Sequence, residues 1–192
     1  GNIGMGGSFY SVAYGNSIYL TVSANYRYSA VSSNGLTWTS LSTTGITDGD
    51  LGPVTFGGSK FVSMGWSAAY VSSGSSWTKY STPSGAWYAV TYGNNRFVAV
   101  GASGKEARSS DGVTWSSGTM PDTTLNWSKV AYGDGAFVAL SEATTSKAAI
   151  SVDGITWTMI ELPSVQTWRS LAFVNGRFFA VAYQSSVAIS SP

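Results

Sequence analysis

Large and small side chains alternate with a period of two along short segments of this chain. In residues 87–101, which read WYAVTYGNNRFVAVG, the larger Val90 and Tyr92 alternate with the smaller Thr91 and Gly93. A period of two is typical of β-strands, whereas an amphipathic helix repeats its apolar positions every three or four residues. The run is interrupted by two consecutive asparagines, which favour a tight turn with positive φ. The segment therefore predicts two antiparallel strands joined by a hairpin turn.

The same segment recurs in five copies at intervals of about 40 residues, the period of a repeat protein. The central aromatic residues of the copies are Tyr14, Phe56, Tyr92, Tyr132 and Phe173. The first four copies continue to a tryptophan, at Trp38, Trp77, Trp115 and Trp157. Before three of these tryptophans lie Asn34-Gly35, Asp111-Gly112 and Asp153-Gly154, which predict a second two-residue turn. Each unit therefore predicts a four-stranded antiparallel meander.

A four-stranded meander of this length has the size of a propeller blade. We therefore predict an all-β fold, a five-bladed β-propeller forming a single domain over residues 1–192. The predicted blades are 9–50, 51–86, 87–126, 127–167 and 168–192. The last copy lacks a final strand, and the segment 1–8 that could supply it is short and rich in glycine. An open ring, a linear array and an intertwined oligomer are the alternatives.

The meander places its first and third connections at one end of each unit and the remaining connections at the other. The tight turns therefore gather on one face, and the variable loops gather on the opposite face, here called the loop face. The predicted loops are 23–28, 42–51, 65–68, 80–86, 101–106, 117–126, 141–147, 161–167 and 183–186. Because binding residues concentrate on loops held by a rigid scaffold, we expect any site on the loop face.

Composition excludes several classes of function. Charged residues make up 10% of the chain and the net charge is +1, with lysines and arginines scattered singly, so no nucleic-acid partner is expected. The chain has no cysteine and no histidine, which removes thiol chemistry and the commonest general base. No apolar run approaches the length of a membrane span, so no membrane insertion is expected. The start at Gly1, without Met, suggests a processed product or a piece of something longer.

One local motif, Ser-x-Asp-Gly-x-Thr-Trp, stands at residues 109–115 and 151–157, with Asn34 replacing the aspartate in the first unit. It resembles the Asp-box of sialidases and related propellers but is one residue shorter between Asp and Gly. In that family the Asp-box is a structural turn far from the active site, so the resemblance implies a structural role. The residue types agree, since Asp or Asn caps a turn and Trp packs between blades.

The whole unit, from about Phe9 onward, looks like repeats in phage tail and virion proteins and in bacterial surface proteins. That resemblance implies a structural or receptor-binding component, often directed at glycans. It also implies an extracellular or virion location, with host receptors, neighbouring copies or other virion proteins as partners.

The aromatic residues that recur in every unit predict a core. Those that break the repeat predict a ligand site, because exposed rings stack on sugars and form hot spots in protein interfaces, although ordinary loop packing is the alternative. These non-periodic aromatics are Tyr26, Tyr28, Trp66, Tyr80 and Tyr183.

Two kinds of enzyme remain as alternatives. A sialidase needs three arginines that bind the substrate carboxylate, a Tyr–Glu nucleophile pair and an aspartate that acts as the acid. The arginines of the chain are Arg27, Arg96, Arg108, Arg169 and Arg177. Arg96 and Arg177 share one repeat position beside the tight turn, which favours a solvated strand position. A two-carboxylate glycosidase could draw on Asp48, Asp50, Glu106, Asp122, Glu142 and Glu161, all predicted on the loop face.

No metal-ligand spacing is present, although Asp48-Gly-Asp50 could hold Ca²⁺.

Together, the sequence features predict a non-catalytic, lectin-like protein without a cofactor. It is expected to recognise a surface glycan or host receptor through one or two unequal sites. A purely structural, decoration or oligomerisation module is the alternative.

Overall fold

A computed structural model describes residues 8–23, 28–43, 46, 51–183 and 188–189. The first sheet contains β1 (Phe9–Gly15), β2 (Ile18–Ser23), β3 (Ser29–Ser32) and β4 (Thr39–Leu41), and the second contains β5 (Val54–Gly57), β6 (Lys60–Met64), β7 (Ala68–Ser72) and β8 (Trp77–Ser81). The third contains β9 (Trp87–Gly93), β10 (Arg96–Gly101), β11 (Lys105–Ser109) and β12 (Ser116–Thr119), with a 3₁₀ turn at Ala102–Gly104. The last contains β13 (Trp127–Gly133), β14 (Ala136–Ser141), β15 (Thr144–Ser151), β16 (Thr158–Val174), β17 (Arg177–Ala182) and β18 (Ala188–Ile189).

Repeated antiparallel meanders are confirmed, and they are arranged as the blades of a β-propeller. The prediction of five blades is wrong: the described strands form four sheets, three of four strands and one of six. The fifth repeat unit has no separate sheet, because β16 runs unbroken from the end of the fourth unit into the start of the fifth. Within the described residues, no hydrogen-bonded strand pair joins the last sheet to the first. The predicted closing segment 1–8 lies, except for Ser8, outside the described residues.

The loops predicted at 141–147 and 161–167 are largely strand. Thr144 pairs with Thr167 and Thr145 pairs with Gln166, so the two segments extend the hairpin of β15 and β16. The register then shifts before Lys147 pairs with Glu161, and Pro163 lies in the resulting bulge. A proline is tolerated there because its missing N–H takes no part in strand pairing.

The two kinds of turn have different structures. The first turns have positive φ at both residues, as predicted, with 45° and 56° at Asn94 and Asn95. The second turns are not two-residue hairpins, because β11 ends at Ser109 and β12 begins only at Ser116. The bend between them is organised by Asp111, whose Oδ1 accepts hydrogen bonds from the backbone N–H groups of Val113 and Thr114, each at 2.8 Å.

Asn34 performs the same function in the first unit. Its Oδ1 accepts hydrogen bonds from the backbone N–H groups of Leu36 and Thr37 at 2.8 and 2.9 Å. Because an amide oxygen and a carboxylate oxygen are both acceptors, the substitution of Asn for Asp preserves the bend.

Successive repeat units pack through one recurring contact, which we call the aromatic–glycine stack. From the second unit onward, the central aromatic ring lies against the glycine that follows the central aromatic of the preceding unit. The contacts are Phe56 on Gly15, Tyr92 on Gly57, Tyr132 on Gly93 and Phe173 on Gly133. A Cβ atom on any of these glycines would stand 1.9–2.1 Å from the Cγ atom of the ring, so only glycine fits.

The prediction that the recurring aromatics form the core is confirmed for most of them. Phe97, Phe137 and Trp157 are buried, as is Trp77, whose Nε1 donates a 2.9 Å hydrogen bond to Ser29 in the first sheet. Tyr92, Tyr132, Trp38 and Trp115 are half-buried, and Tyr14 is exposed over 58% of its surface. Its unit comes first, so the described structure offers no preceding glycine on which it could stack.

Candidate functional site

A concave aromatic site lies at the loop face of the first three sheets. It has a volume of about 280 Å³ and is lined mainly by Tyr10, Gly52, Trp66, Trp87 and Tyr88. We call it the aromatic pocket. None of the residues that line it carries a charge. Recognition in this pocket therefore depends on ring faces and on a few polar atoms.

Two β-bulges position the tyrosines. The strand register shifts between Phe9 and Ser11 in β1, and Tyr88 is skipped between the paired residues Trp87 and Ala89 in β9. A bulge inserts a residue that has no partner in the neighbouring strand, and it re-aims the inserted side chain. Tyr10 and Tyr88 are these inserted residues, and both stand four positions before the central aromatic of their unit.

Gly52 occupies the same repeat position in the second unit, between the two units that carry the tyrosines. A Cβ atom here would stand 1.6 Å from the carbonyl oxygen of Met64, so the backbone approaches too closely for any side chain. The second unit therefore has glycine, and contributes no ring, where the neighbouring sheets have tyrosine.

Trp66 stands on the loop between β6 and β7. That loop is held by a 2.7 Å hydrogen bond from the Gly65 N–H to the Ala68 carbonyl and by one of 3.1 Å from the Gly85 N–H to the Trp66 carbonyl. The backbone is fixed, while 65% of the Trp66 surface remains exposed. An exposed indole on an anchored loop provides a pre-positioned surface for a ligand.

The other predicted ligand residues do not line the aromatic pocket. Tyr28 precedes β3 and is partly exposed, with its backbone N–H bound to the Ser23 hydroxyl at 3.1 Å. Tyr80 lies within β8, opposite Ala69, and is half-buried. Tyr183 is 59% exposed, and the Arg169 guanidinium lies 5.3 Å from the centre of its ring. Tyr26 lies outside the described residues.

Sequence reasoning missed Tyr10, Gly52 and Tyr88. A comparison of the residue four positions before each central aromatic would have found them, since it reads Tyr10, Gly52, Tyr88, Ser128 and Arg169. This position holds tyrosine in two units and glycine, serine or arginine in the other three, whereas a core position would keep similar side chains.

Glu106 does not lie on the loop face, contrary to its prediction. The preceding loop is only the 3₁₀ turn Ala102–Gly104, so Glu106 lies inside β11 and is buried. Burial raises the pKa of its carboxyl to about 7, although the Arg108 guanidinium, 2.7 Å away, opposes the shift. Gly118 on the neighbouring strand leaves room for this pair, since its Cβ would stand 1.8 Å from Glu106 Oε2.

The other predicted carboxylates have separate partners. Asp122 forms a 3.0 Å ion pair with Lys147, and the Glu142 carboxylate accepts a 3.2 Å hydrogen bond from Asn126. Glu161 accepts a hydrogen bond from Ser146. Asp48 and Asp50, and with them the suggested Ca²⁺ loop, lie outside the described residues.

Arg96 and Arg108 line a second cavity, of about 320 Å³, beside the bend at residues 110–115. The predicted solvated position of Arg96 is thus a cavity wall. The Glu106 carboxylate lies 2.7 Å from Arg108 Nη1, so it offsets part of this positive charge.

Comparison with known proteins supports the fold. No family model matches the chain, and no curated protein sequence matches it significantly. A streptogramin B lyase structure shares 11% identity at a TM-score of 0.78, covering 91% of this chain and 62% of its own. The YCF48 structure bound to D1 peptide shares 15% sequence identity at a TM-score of 0.70, and the match covers 92% of this chain and 60% of that structure's chain. An ancestral GH74 enzyme shares 13% sequence identity at a TM-score of 0.70, and the match covers 99% of this chain and 32% of the enzyme's chain.

These likenesses show a β-propeller fold alone. The chain spans about three fifths of the length of the lyase and YCF48 structures. In the part of the chain that the structure describes, no helix has the length and apolar character that a membrane crossing requires.

Proposed function

We propose that the protein is a non-catalytic binding module that recognises a glycan in the aromatic pocket. The observation that carries the proposal is the exposed Trp66 indole, which shares an uncharged cavity with Tyr10 and Tyr88. Aromatic rings pack against the C–H faces of sugars. The tyrosine hydroxyls add polar atoms, and that of Tyr10 donates a 3.2 Å hydrogen bond to the Leu51 carbonyl, which leaves its oxygen as an acceptor. A volume of about 280 Å³ is at the lower end of small-molecule sites, so the pocket suits one or two sugar rings.

The divergence of the repeat favours a single site of this kind. The position of Tyr10 and Tyr88 holds Ser128 in the fourth unit and Arg169 in the fifth, and neither offers a ring face. Five equivalent bound sugars would contradict the proposal. The ligand proposed for this site is a surface glycan or host receptor, and the proposed location is extracellular or on a virion.

A second candidate function is binding of an extended peptide. One similar structure, YCF48, is described as bound to a D1 peptide. Grooves lined by aromatic residues also bind proline-rich peptides in the polyproline II conformation. The charge-free lining of the aromatic pocket is compatible with such a ligand.

A glycan array tests the first proposal with a matched pair of variants. Trp66→Ala and Tyr183→Ala each remove an exposed aromatic from the loop face, but only Trp66 lines the aromatic pocket. We expect selective glycan binding by the wild type, retention in Tyr183→Ala and at least a tenfold loss in Trp66→Ala. Binding that both variants retain would place the glycan elsewhere.

A peptide array is run with the same three proteins. Peptide binding that depends on Trp66, without glycan binding, would favour the second candidate. The absence of both would favour a structural module, and cleavage of an arrayed glycan would contradict a non-catalytic role.

A further inference from the structure

The first sheet presents an uncovered aromatic face. We define the Tyr14 face as Val12, Tyr14 and Tyr19, with Val12 and Tyr14 59% and 58% exposed. The rings of Tyr14 and Tyr19 pack against each other with their centres 4.6 Å apart. The corresponding valines of the second and third sheets, Val54 and Val90, are buried. The Tyr14 face thus has the character of an inter-blade surface on which no described part of the chain packs a blade.

The aromatic–glycine stack specifies what covers such a surface. It occurs four times in the described structure, and each time the covering unit offers a glycine directly after its central aromatic. The strand pair β1 and β2 carries no charged residue, so an apolar blade can pack on it without burying a charge. The chemistry of the missing partner is therefore fixed by the four interfaces already present.

This chain cannot supply that partner from its own last unit. The residue that follows the central aromatic Phe173 is Val174, where the other units have glycine. Val174 pairs with Arg177 just as Gly133 pairs with Ala136, so it occupies the same position in the hairpin. A valine side chain would fill the space that the Tyr14 ring needs, both in ring closure and in head-to-tail contact between copies.

We propose that the Tyr14 face docks a blade of this repeat type whose inner strand carries glycine directly after its central aromatic, and that Val174 prevents copies of this chain from acting as that blade. Val174 then serves as a steric block against self-association, since a built-in clash excludes the wrong partner. The inference is independent of the ligand of the aromatic pocket.

The first test creates the missing glycine on the chain itself. Val174→Gly is compared with Val174→Ala, which keeps a Cβ atom and so keeps the block, and with the double variant Val174→Gly, Tyr14→Ala. Oxidation of Tyr14 by hydroxyl radicals reports its exposure, and light scattering after size-exclusion chromatography reports mass.

We expect the wild type and Val174→Ala to be monomeric, with Tyr14 readily oxidised. Val174→Gly should protect Tyr14 at least fivefold. An increase in mass would indicate contact between copies, an unchanged mass would indicate ring closure, and both support the proposal. The double variant should return to the mass of the wild type. Equal oxidation in Val174→Gly and Val174→Ala, or a wild type that already associates through Tyr14, would overturn the proposal.

A second test supplies a blade without altering Val174, and it decides the matter if Val174→Gly does not fold. A copy of residues 87–126 is joined directly to Phe9, because Phe9 holds the same place in its unit as Trp127. The added blade carries either its own Gly93 or a valine at that position. Protection of Tyr14 by the glycine form alone supports the proposal, and equal oxidation in both forms overturns it.

Discussion

The ring of Tyr92 lies so close to Gly57 of the preceding sheet that a Cβ atom on residue 57 would stand 1.9 Å from Tyr92 Cγ. We therefore expect Gly57→Ala to destabilise the protein by about 1–3 kcal/mol, the usual cost of forcing an extra carbon into a packed interface. Urea denaturation, monitored by tryptophan fluorescence, measures the change in the free energy of unfolding.

The double variant Gly57→Ala, Tyr92→Ala tests whether the clash with the ring is the cause. The effects of substitutions at contacting residues on the free energy of unfolding are not additive. We therefore expect the destabilisation caused by Gly57→Ala to be smaller by at least about 1 kcal/mol in the Tyr92→Ala background. Equal costs in both backgrounds would show that the ring is not what requires glycine.

The first two sheets share a buried hydrogen bond from Trp77 Nε1 to the Ser29 hydroxyl, at 2.9 Å. Ser29→Ala leaves the indole N–H buried without its acceptor, and we expect a loss of about 1–3 kcal/mol in the free energy of unfolding. In a Trp77→Phe background, which has no N–H to satisfy, the same substitution should cost much less. If Ser29→Ala lowers the free energy of unfolding equally in both backgrounds, the loss comes from packing and not from the hydrogen bond.

Glu106 gives the protein a pH dependence near neutrality. Burial raises the pKa of its carboxyl from 4.5 to about 7 in the folded state, so the folded protein binds a proton that the unfolded chain has released. The stability that this group contributes is complete below about pH 4.5 and is lost as the pH rises through 7. We expect the melting temperature of the wild type to fall between pH 5 and 8 relative to Glu106→Gln.

Glu106→Gln is a suitable reference because an amide oxygen can still accept the Arg108 hydrogen bond without titrating. Thermal melts across this pH range, in one buffer series at constant ionic strength, give the comparison. Parallel curves for the two proteins would contradict the raised pKa.

The two bends that contain aspartate should respond to acid in the opposite direction. Hydrogen bonds from the Thr114 backbone and then from that of Val113 lower the pKa of Asp111 to about 2, and the Thr156 backbone does the same for Asp153. Their stabilising effect is present above the ordinary value of 3.8 and is lost as the pH falls through about 2.

We therefore expect the double variant Asp111→Asn, Asp153→Asn to lose less stability than the wild type between pH 4 and 2. At pH 7 it should fold normally, since Asn34 already forms the same bend. Asp111→Ala removes the acceptor and should cost about 1 kcal/mol at pH 7. Denaturant midpoints at pH 7 and pH 2 measure both effects, and an asparagine variant as acid-sensitive as the wild type would be a contrary result.

Local patterns predicted the meanders, the loop face and the first turns, because these follow from alternation and turn residues in neighbouring positions. The continuous strand β16 was not predictable in this way, since it depends on pairing between Thr144 and Thr167, which are distant in sequence. Trp66 was singled out because it breaks the repeat, and it lines the aromatic pocket. Tyr10 and Tyr88 were missed because bulges, which alternation does not show, aim them into the aromatic pocket.

Strand β16 also constrains how an array of this kind can gain or lose units during evolution. The second and third sheets are linked by residues 82–86, and the third and fourth by 120–126, so a recombination event there would transfer an intact meander. No such junction exists between the fourth and fifth units, where the 17 residues of β16 belong to both. A cut that removed the pairs Thr144–Thr167 and Thr145–Gln166 would sever paired backbone, so the last two units are expected to be inherited as one block.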